Sequence, residues 1–231
     1  METWRAPNGT PTCQGSKQER MKKLGLGIVV GLLLLGLIIA MSVGRSYNRM
    51  MGLKQATDRQ WAQVQNVYQR RADLVPNLVS TVSGAANFEK STLTDITQAR
   101  ASAGQVKIEQ NSAPADAAQL AEFDKAQGQL SSALSRLLVV SERYPELKAN
   151  ANFQALQAQL EGTENRISVE RGRFNETVQS YNIAVKTFPT ALFAGMMGFR
   201  ERPYFQATAG SETPPKVQFD FRKLPETGRK Q

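Results

Sequence analysis

The sequence contains no histidine and only one cysteine among its 231 residues. Without histidine the chain has no Ser/His/Asp or Cys/His nucleophile pair, no imidazole metal ligand and no imidazole proton shuttle. The single cysteine, Cys13, excludes an internal disulfide and a thiolate zinc site. Any enzymatic chemistry must therefore use carboxylates, Lys, Arg, Ser, Thr or Tyr, and we expect no cofactor and no metal.

Acidic residues are fewer than basic ones, 20 against 29, so the net charge is +9. Residues 44–199 carry 17 basic and 14 acidic groups, whereas residues 1–23 carry 5 and 2, and residues 200–231 carry 7 and 4. The long central part is thus nearly balanced in charge. It also lacks the basic stripe with interleaved aromatic residues that is typical of nucleic-acid-binding proteins, so we expect no nucleic-acid partner.

One segment has no charge at all: residues 24–43 read LGLGIVVGLLLLGLIIAMSV. A helix of this length spans roughly 30 Å, the thickness of a hydrocarbon core. Small residues at 42–44 would suit a signal-peptide cut site, but the apolar run is longer than is usual in a signal peptide. We therefore expect an uncleaved single-pass transmembrane anchor, with the lipid bilayer as a partner.

The charges and glycines around the anchor bear on its orientation and packing. Four basic residues precede it, at 17, 20, 22 and 23, and three follow, at 45, 49 and 54. This small difference favours a cytoplasmic N-terminus and an extracytoplasmic domain. Gly27 and Gly31 form a GxxxG pair that would let two anchors pack closely, although glycine is also common in anchors that do not dimerise.

Beyond the anchor, apolar residues recur at alternating spacings of three and four, the pattern of long amphipathic helices. The first run contains Trp61, Val64, Tyr68, Val75, Leu78 and Val82, with Arg71 at the intervening position of the stripe. The second run contains Phe153, Leu156, Leu160, Thr163, Ile167, Glu170, Phe174, Val178, Tyr181, Val185 and Phe188. Shorter helical patterns cover 90–104 and 118–143, joined by a polar stretch with Pro114.

The fold is therefore predicted to be all-α: a single N-terminal transmembrane helix followed by an antiparallel four-helix bundle with long helices. If the two shorter patterns formed one broken helix, the last helix would instead end far from the membrane. The expected division is a polar basic tail at 1–23, the anchor at 24–43, the bundle at 44–206 and a flexible tail at 207–231.

Ionisable and polar residues cluster on or beside the stripes of the two long helices, and a proline lies among them. The group consists of Arg70, Arg71, Asp73, Pro76 and Asn77 on the first helix, and Glu164, Asn165, Arg166 and Glu170 on the last. Pro76 is expected to kink or break its helix. We favour a structural ion pair of Arg71 with Glu164 or Glu170. The rival hypothesis is a catalytic carboxylate site built from Asp73, Glu164 and Glu170.

The segment after the last helix is apolar, rich in Gly and Met, and too short to span a membrane. Its candidate contact residues are Phe188, Leu192, Phe193, Met196, Met197, Phe199, Tyr204 and Phe205. Three placements fit the pattern: packing on the bundle, insertion into the membrane interface, or contact with another subunit.

Several strings in the chain resemble the LemA family, over about residues 22–206. They include QRRADLVPNLV at 69–79, YPELKAN at 144–150, LEGTENRI at 160–167 and PYF at 203–205. The resemblance implies a bacterial membrane protein with one N-terminal anchor and a helical bundle. It supplies no established activity and no catalytic residues. Residues 1–20 depart from the family pattern, which starts just before the anchor.

These observations lead to the expectation of a non-enzymatic scaffold or adaptor of the bacterial envelope, held in the cytoplasmic (inner) membrane. Its expected partners are further copies of itself or other envelope proteins. The alternative is a carboxylate-based hydrolase or modifying enzyme of the envelope.

Overall fold

The computed structural model describes residues 14–84, 88–106 and 112–206. Cys13 and the predicted flexible tail at 207–231 lie outside these residues. The described part contains six helices and no strand, which confirms the all-α prediction. The helices are α1 (Gln14–Ser83), α2 (Lys90–Gln105), α3 (Ala117–Ser141), α4 (Pro145–Lys148), α5 (Ala151–Lys186) and α6 (Ala191–Ala194).

Helix α1 contains the predicted anchor and continues into the bundle without interruption. Its 70 residues correspond to about 105 Å of helix. Large apolar side chains between Leu26 and Met41 are exposed, and this is the one helix in the described part of the chain that is long and apolar enough to cross a bilayer. The expected break at Pro76 is wrong, because Pro76 lies inside the continuous helix.

The remaining long helices form an antiparallel bundle along the second half of α1. Helix α2 runs back towards the anchor, and Ala113, in the connection to α3, contacts Asp58 of α1. Helix α3 runs away from the anchor, because it starts beside this contact and ends with Val140 in the same cluster as Val82. Helix α5 then returns, so Val185 packs in one cluster with Met50.

Two side chains define where the later helices begin. The Oδ1 atom of Asp116 accepts a hydrogen bond from the Gln119 amide at 2.8 Å and caps α3. The Oδ1 atom of Asn150 accepts from the amides of Asn152 and Phe153, at 2.9 and 3.2 Å, and caps α5. Because these caps satisfy free amides at the helix N-termini, they determine where the chain turns.

The core consists of three clusters along the bundle axis. The distal cluster, farthest from the anchor, includes Val75, Leu78, Val82, Ile96, Leu130, Leu137, Phe153 and Leu160. The middle cluster includes Trp61, Val64, Tyr68, Phe123, Ile167, Phe174, Val178 and Phe205. The membrane-proximal cluster contains Met50, Tyr181, Val185, Ala194 and Phe199.

Candidate functional site

Arg71 forms the polar centre of the bundle and links three helices. Its side chain is 1% exposed, and Nη1 donates to Ser131 Oγ at 2.6 Å and to Glu164 Oε1 at 2.7 Å. Nη2 donates to the Gln127 carbonyl at 3.1 Å and to its Oε1 at 2.7 Å. The guanidinium also lies over the Tyr68 ring, 5.1 Å from its centroid. A charge this deeply buried requires such partners, so the arrangement fixes how α1, α3 and α5 register against one another.

The three carboxylates of the rival catalytic hypothesis have separate partners. Glu164 pairs with Arg71, whereas Glu170 accepts from Gln60 Nε2 at 2.6 Å and from Arg173 Nη1 at 2.8 Å. Asp73 is exposed and accepts from Gln69 Nε2 at 2.7 Å. The groove beside Glu164 is lined by residues of α3 and α5 and includes neither of the other two carboxylates.

The other residues of the predicted ionisable group lie on the surface. Arg70, Pro76 and Asn77 are exposed on α1, and Asn165 and Arg166 are exposed on α5. The structure therefore brings together only Arg71 and Glu164 from this group. Within the described residues, no three Cys, Asp or Glu side chains lie close enough to hold a metal ion.

After α6 the chain crosses the bundle surface as an extended segment, residues 200–206, which we call the strap. A turn at Gly198 precedes it, and the positive φ of +78° there favours glycine. Asn182 holds the strap through two bonds to Arg202, one to its amide and one to its carbonyl, both at 2.9 Å. Asn175 makes the same pair of bonds to Phe205, at 2.9 and 3.0 Å.

The spacing of these two asparagines matches the strap. Seven residues of helix rise about 10.5 Å, and three residues of extended chain cover about 10 Å. Asn175 and Asn182 therefore meet Phe205 and Arg202 in register, with the strap antiparallel to α5. A side-chain amide carries a donor and an acceptor like a peptide group, so each asparagine pairs with the strap as a neighbouring strand would.

Arg202 also ties the strap to the connection between α2 and α3. Its Nη1 donates to the carbonyls of Ala113 and Pro114, and its Nη2 lies 3.6 Å from Asp58 Oδ1. The same Asp58 oxygen accepts the Ala113 amide at 2.9 Å. One largely buried ion pair thus joins α1, the connection and the strap.

The strap ends by inserting Phe205 into the middle cluster. The Phe205 ring stacks 6.0 Å from Trp61 and meets Phe174 edge-on at 5.6 Å. The Arg171 guanidinium covers its outer face at 4.3 Å and is paired with Asp124 at 2.9 Å. These aromatic and cation–π contacts make the strap part of the core.

The apolar segment predicted as a contact surface is divided between interior and surface. Phe188, Leu192 and Met196 are 77%, 63% and 88% exposed. Phe193 and Met197 are half-buried, and Tyr204 is 41% exposed. Phe199 and Phe205 are buried in the membrane-proximal and middle clusters, so their assignment to an external contact is wrong. Packing within the chain fills these two sites because both rings have apolar pockets between α1 and α5.

The two glycines proposed for anchor packing lie on an open helix surface. A methyl group built at Gly27 or Gly31 meets no atom within 4 Å. The close approach of a second helix, which small residues permit, is therefore not used by contacts within the described chain.

Within the part of the chain that the structure describes, three side chains have raised pKa values. Burial raises the pKa of Tyr68 and of Tyr181 above their ordinary 10.0, although neighbouring arginines partly oppose this. The hydrogen bond to Glu201 raises the pKa of Lys186 above 10.5. All three groups therefore keep their protons throughout the physiological pH range.

Sequence reasoning missed the residues that hold the strap, which are Asp58, Asn175, Asn182 and Arg202. A signal for two of them was present. Asn175 and Asn182 each follow an aromatic residue of the apolar stripe, Phe174 and Tyr181, at a spacing of seven. Each asparagine side chain offers both a donor and an acceptor, so this repeat can pair with a backbone segment.

Comparison with known proteins confirms the resemblance to the LemA family. The model of the LemA family matches residues 60–219. Magnetosome protein MamQ 2 of Paramagnetospirillum magneticum is 24% identical over 221 residues, covering 85% of this chain and 79% of that protein. Protein LemA of Metamycoplasma hominis is 24% identical over 181 residues, 78% of each chain. The chain belongs to the LemA family.

Proposed function

We propose that this LemA-family protein is a membrane-anchored scaffold or adaptor of the bacterial envelope that acts through contacts rather than catalysis, and that it associates with further copies of itself. One observation carries the proposal. Leu192 and Met196 are exposed apolar side chains, 63% and 88%, at the end of the bundle next to the anchor. Exposed apolar residues beside an anchor suit a contact between proteins held in the same membrane.

The polar interior supports a contact role over the carboxylate-hydrolase alternative. Arg71, Glu164 and Glu170 are engaged in bonds that join helices, and Asp73 lies outside with Gln69. A hydrolytic site needs carboxylates that converge on one cleft, and these three have separate surroundings.

The open glycine face of the anchor supports self-association. Gly27 and Gly31 leave space against which a second helix can pack at close range. Two anchors paired there would bring two bundles together at their membrane-proximal ends, where Leu192 and Met196 lie.

Site-specific photocrosslinking in native membranes tests the proposal. A crosslinking amino acid at Leu192 or Met196 should trap a dimer or a complex with another envelope protein. The control position is Val139, which is 71% exposed at the distal end of α3 and should trap little. Gly31→Leu should reduce the trapped dimer, whereas Gly52→Leu, at an equally open helix position, should not. Trapping of monomers alone from positions 192 and 196 would reject the scaffold.

We further propose that the anchor lies in the cytoplasmic membrane with the bundle on the extracytoplasmic side. The basic residues before the apolar run support this orientation. Protease added to spheroplasts, in which the outer face of the cytoplasmic membrane is accessible, should then remove an epitope tag placed after Gln231. Protection of that tag until the cytoplasmic membrane is permeabilised would place the bundle in the cytoplasm.

A further inference from the structure

We propose that a groove at the junction of anchor and bundle binds the headgroup phosphate of an anionic phospholipid through Arg45 and Arg49. The groove lies between residues 38–50 of α1 and residues 183–190, where α5 ends and the chain turns. Its volume is about 670 Å³, enough for a headgroup and the first carbons of its chains.

The charges in the groove are all of one sign. Arg45 and Arg49 line it together, and none of the lining residues is acidic. Neither arginine has an ion-pair partner within the described ranges, whereas nearby Lys54 pairs with Asp58, and Lys186 with Glu201. Residues four apart lie on the same face of a helix, so the two guanidiniums repel each other unless an anion lies between or beside them.

Hydroxyl groups complete the polar side of the groove. Ser42 and Ser46 lie on the α1 wall, and Thr190 lies on the opposite wall. Hydroxyls donate hydrogen bonds to phosphate oxygens, and arginine forms paired bonds with phosphate. The combination of two arginines with serine and threonine hydroxyls therefore matches a phosphate group.

An apolar side lies next to these polar groups. Ile38, Met41 and Phe188 line the same groove, and the Phe188 side chain is 77% exposed. A free phosphate would gain nothing from these side chains. A phospholipid would cover them with its acyl chains while its phosphate contacts the arginines.

The depth of the groove agrees with a lipid headgroup. If the charge-free run ending at Val43 crosses the hydrocarbon core, Arg45 lies about 3 Å and Arg49 about 9 Å beyond it along the helix. Each headgroup layer is roughly 5–8 Å thick. Arg45 is thus at the level of the phosphates. Arg49 starts just outside the headgroup layer, but side chains on a helix tilt towards its N-terminus, here towards the bilayer, so its long side chain can reach back to the phosphates. Ile38 and Met41 are at the level of the acyl chains.

The charge selects among lipids. A zwitterionic headgroup such as phosphatidylcholine brings its own cation, which the arginine pair repels, whereas the anionic headgroup of phosphatidylglycerol brings none. The proposal requires only that α1 is embedded in a bilayer and that the groove is intact. It does not depend on self-association, so a failure of the scaffold role would not contradict it, and its own failure would not contradict the scaffold role.

The test is native mass spectrometry of the full-length protein in non-ionic detergent micelles. The probes are phosphatidylglycerol, phosphatidylcholine with the same acyl chains, and sodium phosphate. We expect the wild-type protein to bind phosphatidylglycerol in preference to phosphatidylcholine. Removing both charges by Arg45→Gln with Arg49→Gln should weaken phosphatidylglycerol binding at least about tenfold and leave phosphatidylcholine binding unchanged.

A matched control removes two positive charges elsewhere. Arg59→Gln with Lys125→Gln changes two exposed residues of the bundle far from the groove and should bind phosphatidylglycerol as the wild type does. In a second groove variant, Ser46→Asp, both arginines remain but a carboxylate faces them, and the preference for phosphatidylglycerol should again disappear. Helix content by circular dichroism checks that each variant is folded.

Other outcomes would overturn the proposal. One is equal binding of the two lipids by the wild type. Another is an equal loss of phosphatidylglycerol binding in the groove double variant and the control double variant. A third is unchanged phosphatidylglycerol binding after Arg45→Gln with Arg49→Gln. Displacement of phosphatidylglycerol by equimolar sodium phosphate would show a site for a free anion instead of a lipid.

Discussion

Arg100 of α2 donates from Nε to the main-chain carbonyl of Ala72 in α1, at 2.9 Å. In a regular helix this carbonyl would accept the amide four residues later, but residue 76 is proline and has no N–H. The side chain of a neighbouring helix thus replaces a missing backbone donor. This contact helps to explain why α1 continues through Pro76, where the sequence alone predicts a kink or a break.

The replacement predicts a coupling between positions 76 and 100. Arg100→Ala should lower the free energy of unfolding by about 1–2 kcal/mol in the wild-type background. In Pro76→Ala, where the amide of residue 76 bonds to Ala72, the same substitution should cost about 1 kcal/mol less. Chemical denaturation of the full-length protein in detergent measures the free energy of unfolding of the wild type, the two single variants and the double variant. Additive effects of the two substitutions would contradict the replacement.

The buried Arg71 predicts that neutralising its partner is costly. Glu164→Gln removes the anion from the buried guanidinium. Because the Glu164 side chain is itself 44% exposed, the substitution should lower the free energy of unfolding by roughly 1–3 kcal/mol. Glu161→Gln is the control. Glu161 is exposed one turn away and accepts a hydrogen bond from Gln157 of the same helix, so this substitution should change stability by less than about 0.5 kcal/mol. Thermal unfolding followed by circular dichroism compares the two variants. Equal losses of stability would contradict a central role for the Arg71–Glu164 ion pair.

The asparagine contacts predict that the strap detaches when one of them is removed. Asn182→Ala loses both bonds to Arg202 and should make cleavage by trypsin after Arg200, at the start of the strap, several-fold faster. Asn165→Ala, at an exposed position on the same helix, should leave the cleavage rate unchanged. The measurement is limited proteolysis with mass mapping of the fragments. Cleavage at the same rate in both variants would show that the strap is held by other contacts.

Tyr68 predicts a loss of stability at alkaline pH. Burial raises its pKa above the ordinary 10.0, so above that pH the unfolded chain loses the proton while the folded chain still holds it. The stabilisation is complete below pH 10.0 and is lost as the pH rises towards the raised pKa. Tyr68→Phe should therefore flatten the alkaline decline in unfolding free energy. Tyr204→Phe, which changes an exposed ring, should retain the wild-type decline.

The anchor and the helices could be predicted from the sequence because their signals are local. Residues 24–43 contain no charge over a length that spans a bilayer, and the spacing of Trp61, Val64 and Tyr68 follows the helical period. The position of Arg71 on that apolar stripe also predicted an ion pair with Glu164 or Glu170. Periodicity assigns each residue to a helix face, and that was sufficient for the fold class.

The choice of partners depended on the tertiary structure. Glu164 and Glu170 were both suitable partners for Arg71, and only the axial position of α5 against α1 decided for Glu164. The strap has no periodic pattern, so its sequence could not show that Phe205 enters the core while the neighbouring Tyr204 stays exposed. The sequence determined which surfaces are apolar, because that follows from side-chain chemistry. Tertiary structure decided which of them meet, because contacts between distant residues depend on the register and direction of whole helices.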